Sequence, residues 1–162
     1  MKSALKKTLC LCLVVMMTLS LTGCVADLAE GAFFLYLIAA GDDRAEKTDI
    51  FEFVRENEEE LLAAIEKGEA ESFENRDVVK SVYESERYIE FSCGGSGIAP
   101  SGTYVGFCYT PDGKMAVIGE SPSFVENLLP CGDGFEWRET DGDNRYYTEQ
   151  ICGHFWYYEQ SF

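Results

Sequence analysis

His154 is the only histidine of the chain, so any nucleophile that needs an imidazole base has one residue to find. Two serines are offered to it by FSCGGSGIAPSGTYVGF, residues 91–107, which packs five glycines, three serines and a proline between apolar runs. This stretch lacks what working loops require. A phosphate loop of the Walker type needs GxxxxGK[ST] and a following helix, whereas Gly102 is followed by Thr103 and then by strand-forming residues. A nucleophile elbow needs GxSxG, and Gly94-Gly95-Ser96-Gly97-Ile98 misses the last glycine. Ser96 and Ser101 therefore have only a remote claim on His154, and the stretch reads as a wide, glycine-hinged connection between strands. Its backbone N–H groups retain a weak capacity for a small anion. Asp141-Gly142-Asp143-Asn144 resembles the start of a calcium loop, but Arg145 stands at the next ligand position, so it reads as a turn. With 29 Asp and Glu in the chain, no pair of carboxylates can be singled out for glycan hydrolysis.

Cysteine offers a firmer chemistry. No CxxC and no Cys/His pair at metal spacing occurs, so neither zinc nor another cofactor is expected. Lys2, Lys6 and Lys7 precede the apolar run Leu9 to Leu21, and Leu21-Thr22-Gly23-Cys24 follows at its end. That ending resembles the lipobox of bacterial lipoprotein precursors. The resemblance implies cleavage after residue 23 and a diacylglycerol on the Cys24 thiol, which becomes the new N-terminus. Acyl chains worth roughly 0.8 kcal/mol per buried methylene would hold the protein on the extracytoplasmic face of the cell membrane. The organisation expected is then 1–23 signal peptide, 24–48 lipidated start with a short apolar segment and connector, and 49–162 a single domain. The rest of the mature chain also resembles uncharacterised small lipoproteins of Gram-positive bacteria, a resemblance that brings no activity with it.

The leader's three lysines are its only charges, so the mature chain keeps 10 Lys and Arg against 29 Asp and Glu, a net charge of −19. Nucleic acid is excluded as a partner, because phosphate binding needs concentrated Lys and Arg. An anionic lipid surface would repel the same body, which leaves the lipid to do the anchoring.

The elements that must position any site follow from hydrophobic period. Ala32–Ala40 is too short to span a bilayer and reads as packed on the domain rather than lying against the membrane. Asp49 three residues before Glu52 suggests a capping box. From there Ile50, Phe53, Val54, Leu61, Leu62 and Ile65 form one helical stripe, and Gly68 stops it. Beyond residue 78 the pattern turns to strands: 78–84, 87–93, 103–110, 114–120, 135–140, 143–152 and the closing HFWYYEQSF. Pro111-Asp112-Gly113 and Asp141-Gly142 mark hairpins. The fold class expected is α+β, an antiparallel sheet of about five to seven strands with one main N-terminal helix on a face.

Two placements follow from register. With Asp141-Gly142 as a two-residue turn, facing residues sum to 283, which sets Cys131 opposite Cys152 and suggests a disulfide. Cys93 and Cys108 are kept apart by the same reasoning and read as free buried thiols. On the last strand His154, Trp156 and Tyr158 share one face, and Phe155 and Tyr157 the other. With Trp137 and Tyr147, the first three make a candidate ligand-binding surface for glycan stacking or a protein partner. That surface exists only if one face of the sheet is open; the opposing reading covers both faces, one with the helix and one with Ala32–Ala40. Function on this reading is a lipid-anchored extracytoplasmic binding protein without catalysis. The alternative is a cell-envelope enzyme that acts on glycan or peptidoglycan through carboxylates.

Overall fold

A computed structural model describes residues 42–98, 101–120 and 122–162. The expected signal peptide, Cys24 and Ala32–Ala40 lie outside the described residues.

The expected helix is two. α1 spans Lys47–Glu56 and α2 spans Glu58–Lys67, separated at Asn57, whose backbone (φ −109°, ψ 12°) leaves the helical region. The Phe53 carbonyl accepts both the Asn57 backbone N–H (3.0 Å) and its side-chain amide (2.8 Å), and Asn57 in turn accepts from the Leu61 amide (2.9 Å), so the bend keeps its helical hydrogen bonds. Glu46, extended and without a side-chain cap, precedes α1, so Asp49 lies within the first turn rather than at the cap. There it faces the positive end of the helix dipole. Gly68 ends α2 in the left-handed conformation (φ 70°), as its place after Lys67 suggests. The apolar stripe is buried through Ile50, Phe53, Val54, Leu61 and Ala64. Among the described residues no helix is long and apolar enough to cross a membrane.

Seven strands form one antiparallel sheet: β1 Ser81–Glu84, β2 Ile89–Ile98, β3 Ser101–Tyr109, β4 Leu129–Cys131, β5 Gly134–Arg138, β6 Arg145–Cys152 and β7 Phe155–Ser161. Their order is β1-β2-β3-β7-β6-β5-β4, so the last strand of the chain lies in the middle, between β3 and β6. The expected α+β class and strand count hold. On one face, Phe155 and Tyr157 of β7 join Phe91, Phe107 and Val105 under the helices, where Phe91 and Phe107 stack at 4.6 Å. On the other face, Trp156 and Tyr158 join Cys108, Tyr146, Val117, Ile118 and Leu128.

That second face is covered by the segment from Met115 to Leu128, where a strand over 114–120 was expected. Its backbone is held by side chains of the sheet and of Tyr88, just before β2, instead of by a neighbouring strand. Tyr146 donates to the Ala116 carbonyl (3.2 Å), Gln160 donates to the Ile118 carbonyl (3.1 Å), and Tyr88 accepts from the Gly119 amide (2.9 Å). A turn of 3-10 helix, Pro122–Asn127, completes the cover.

The glycine-rich stretch is not a wide connection. β2 continues through Gly94, Gly95 and Gly97, pairs Ile98 with Ser101, and leaves two residues between the arms of a hairpin. A bulge between Ser92 and Gly95 puts Gly94 at φ 108°. There the incoming chain docks: Ala45 donates to the Cys93 carbonyl (2.9 Å), and Asp43 Oδ1 accepts from the Gly95 amide (3.0 Å). A Cβ at Gly94 would lie 2.9 Å from the Asp43 carbonyl carbon.

The Cys131–Cys152 disulfide is not formed, and Cys93, Cys108, Cys131 and Cys152 are all free thiols. The register sum behind it holds where β5 meets β6, with Trp137 opposite Tyr146 and Arg138 opposite Arg145. The chain reverses at Gly132 (φ 61°), however, so β4 folds back on β5 and Cys131 faces Gly134 while Cys152 faces Phe155. Cys93 and Cys108 are buried, as expected, and burial pushes both thiols up to about 12.

Gly106 packs tightly against both neighbours of β3. A Cβ there would run into the Phe91 carbonyl oxygen of β2, which cannot yield, and would lie 2.8 Å from the Tyr158 hydroxyl of β7, itself fixed by a 2.6 Å bond to Glu90. Gly106→Ala should therefore cost about 2 kcal/mol in urea unfolding, the usual price of an overpacked core; an unchanged midpoint would contradict this packing.

Candidate functional site

The structure does not bring the five aromatic and histidine residues together. Trp156 and Tyr158 are buried in the second core, and half-buried Trp137 packs on the same side against Phe124 at 5.1 Å. Tyr147 lies on the opposite, helix-covered face. His154 is exposed in the turn before β7, with Nδ1 2.9 Å from the Thr110 carbonyl and its ring stacked on Tyr109 at 5.6 Å. The alternation along β7 is as expected, and both faces are covered, as the opposing reading has it, the second by side chains of Met115–Leu128.

Register also separates the serines from the histidine. Ser96 faces Thr103, which faces Ser161 at one end of β7, whereas His154 precedes Phe155 at the other. Strand length between those ends is roughly 20 Å, which rules out a Ser-His pair.

What remains open is the outer part of the helix-side face. α1 packs on β6 and β7, and the cover stops there. Glu136 and Arg138 of β5, Arg145, Tyr147 and Glu149 of β6, and Glu159 of β7 all project to this side by alternation and pairing. They form two bonded groups that meet where Arg145 lies over the Tyr147 ring at 5.9 Å. Arg138 bonds Glu136 at 2.8 Å, and Arg145 bridges Glu136 to Glu159, the latter at 3.2 Å. Tyr157 donates to Glu159 at 3.3 Å, and Tyr147 donates to Glu149 at 2.6 Å. Lys47, from the first turn of α1, pairs with Glu149.

The position of that ammonium is the most specific feature of the surface. Lys47 Nζ lies 5.2 Å from the ring centre of Phe51, 5.1 Å from Tyr147 and 5.5 Å from Tyr157. Three aromatic faces and one carboxylate thus surround one cation. A cleft of about 530 Å³ lined by Phe51, Arg55 and Glu149 opens beside it.

The protonation states are fixed. Hydrogen bonds from Arg138 and then Arg145 outweigh the effect of burial and hold the Glu136 carboxyl below its ordinary range. Burial pushes Glu149 up, but bonds from Lys47 and Tyr147 together overcome it and leave that carboxyl lowered as well. Tyr147 and Tyr157 are raised, first by burial and then by the carboxylates they touch. Glu136 and Glu149 are therefore charged, and Tyr147 and Tyr157 neutral, at neutral pH. Glycoside hydrolysis by an acid and base pair needs one carboxyl held protonated, and neither Glu136 nor Glu149 is held so. Among the described residues no group of three or more His, Cys, Asp or Glu is placed to hold a metal ion.

Sequence reading had Tyr147 in a different set and missed Lys47, Phe51 and Glu149. The signal was present: Lys47 and Phe51 are four apart on one helix face, and a β6–β7 hairpin at Gly153 sets Glu149 against Tyr157. No protein-family model, curated protein or solved structure gives a significant match to the chain.

Because Glu149 is lowered in the folded protein, its bonds contribute stability above the ordinary glutamate pKa, and that stability is lost as pH falls through the lowered value. Glu149→Gln should lose about 1 kcal/mol at pH 7, since Lys47 is half exposed and solvent screens the pair. The gap to the parent should narrow as pH falls below the ordinary glutamate value of about 4.3 and close only below the lowered value, where both chains carry a neutral group. Chemical denaturation across pH reads this out, and a pH-independent gap would contradict it.

Proposed function

We propose that the chain is a lipid-anchored extracytoplasmic binding protein without catalytic activity, held at the cell membrane through Cys24. The observation that carries this reading is Leu21-Thr22-Gly23-Cys24 at the end of a basic-then-apolar leader. Its partner is a protein or a glycan, and the surface offered to it is the open outer part of the sheet around Glu136, Arg138, Arg145 and Tyr147. Two properties of that surface support binding over catalysis. Its charges are neutralised in fixed pairs, and it is shallow and mixed aromatic and polar, as the rims and anchors of recognition surfaces are.

Cys24→Ala should move the full-length protein from the membrane fraction to the soluble fraction of the cells that make it. Unchanged retention would overturn the lipid tether. In the same cells, a photo-crosslinking residue at position 138 should give a discrete adduct that one at exposed position 71, in the turn Ala70–Phe73, does not. Equal labelling from both positions, or none from 138, would remove the open sheet as the contact surface.

A further inference from the structure

We propose that Phe51, Tyr147, Tyr157 and Glu149 form a cage for a quaternary ammonium group, occupied in this state by the protein's own Lys47. The inference rests on reading the open sheet as a binding surface and names a ligand class for its inner margin.

The geometry comes first. Three ring centres lie between 5.1 and 5.5 Å from one nitrogen, within the range at which ring quadrupoles attract a cation. Glu149 supplies the balancing charge, and its orientation is set by the 2.6 Å bond from Tyr147 rather than by the lysine alone. Tyr157 is 2 % exposed, so the floor of the cage is a fixed part of the core. Phe51 and Tyr147 are half-buried walls, each already stacked by a further cation: Arg55 at 5.2 Å from Phe51 and Arg145 at 5.9 Å from Tyr147.

Hydrogen-bond chemistry selects the ligand. A primary ammonium has three protons to satisfy, and the cage gives Lys47 one acceptor, Glu149. The remaining walls are ring faces, which attract charge without accepting strong hydrogen bonds. A quaternary ammonium has no proton to satisfy and presents methyl groups to those faces, so the same walls suit it better. Recognition of such groups is the use that aromatic cages with an acid serve.

Lys47 is suited to act as a removable plug. It stands at the first position of α1, where the helix dipole disfavours a cation, and its side chain is 45 % exposed. Its stem can swing into the adjoining cleft without moving α1, which is held by Ile50, Phe53 and Val54 in the core. A tethered ammonium competes at an effective concentration in the millimolar range, so its removal should raise affinity for a free ligand.

Titration calorimetry of the full-length protein in a non-choline detergent, with tetramethylammonium chloride against sodium chloride at equal ionic strength, tests this. Lys47→Ala should bind tetramethylammonium at least tenfold more tightly than the parent chain. Tyr147→Ala or Glu149→Gln, added to Lys47→Ala, should each lose that gain. Lys47→Ser empties the cage with another short side chain and should show the same gain, which guards against an effect peculiar to one substitution. Flotation with phosphatidylcholine and phosphatidylglycerol vesicles distinguishes sources. Binding of Lys47→Ala to the choline lipid as well as to the salt means that a headgroup can enter, and binding to the salt alone means a free solute. The proposal is overturned if neither lysine variant binds tetramethylammonium, or if ammonium chloride binds them equally well. Such a failure would leave the crosslinking result at position 138 untouched.

Discussion

The structure depends on β7 lying in the middle of the sheet. Phe155, Trp156, Tyr157 and Tyr158 are all buried, two on each face, so this strand has no face that water could cover. A central strand with both sides aromatic demands a cover on both sides. The helices supply one and the segment from Met115 to Leu128 supplies the other. β6 and β7 form a local hairpin, but β3 meets β7 only after all the intervening strands have been made. A pairing this distant in sequence is slow to close, and the folding of this domain should be limited by the docking of β7 on β3.

The same demand decides where a site can be. Covering the second face consumes Trp137, Trp156 and Tyr158, the side chains best suited to grip a ligand. On the first face the helices extend from β1 as far as the β6–β7 pair, and β5 and β4 lie past their reach. The open ground is a border, and its residues are those of a border: ion pairs along β5 and β6, with aromatic rings only where α1 meets the sheet. The cation at Lys47 lies on that seam, between a core of phenyl rings and a surface of paired charges.

Much of this was legible in the sequence. The helical stripe, the stop at Gly68, the antiparallel class and the 283 register between β5 and β6 follow from local pattern, since period and turn chemistry act over few residues. Three features did not. The break at Asn57 is a departure of one residue's backbone, and the apolar period carries no record of it because the stripe runs on to Leu61. The glycine stretch 94–97 looks like a loop by composition, yet it stays in the ladder because β3 and the incoming chain at Asp43 and Ala45 pair with it, and composition carries no record of pairing. The reversal at Gly132 set Cys131 against Gly134, and one glycine gave no measure of where the ladder would end. The Lys47 cage lay between these cases. Its helix spacing and its strand alternation were both readable, but the crossing of α1 over β6 and β7 that joins them is a tertiary fact.

Charge gives the cage its logic. Arg44, Lys47, Arg55, Arg138 and Arg145, half of the cations in the chain beyond residue 23, gather on or beside this one border of a strongly acidic body. They neutralise the carboxylates around them, so the border is locally balanced while the rest of the surface is negative. The long-range field of such a body draws any cation toward it and distinguishes none, because it acts on charge alone and is screened beyond about 10 Å in salt. Selection must then come from contacts that act at short range and feel shape and hydration. Ring faces do this: their attraction falls away within one contact distance and favours a cation that sheds little water. A cage set in the neutralised part of an acidic protein therefore separates the two tasks, with the field gathering cations and the three rings choosing among them.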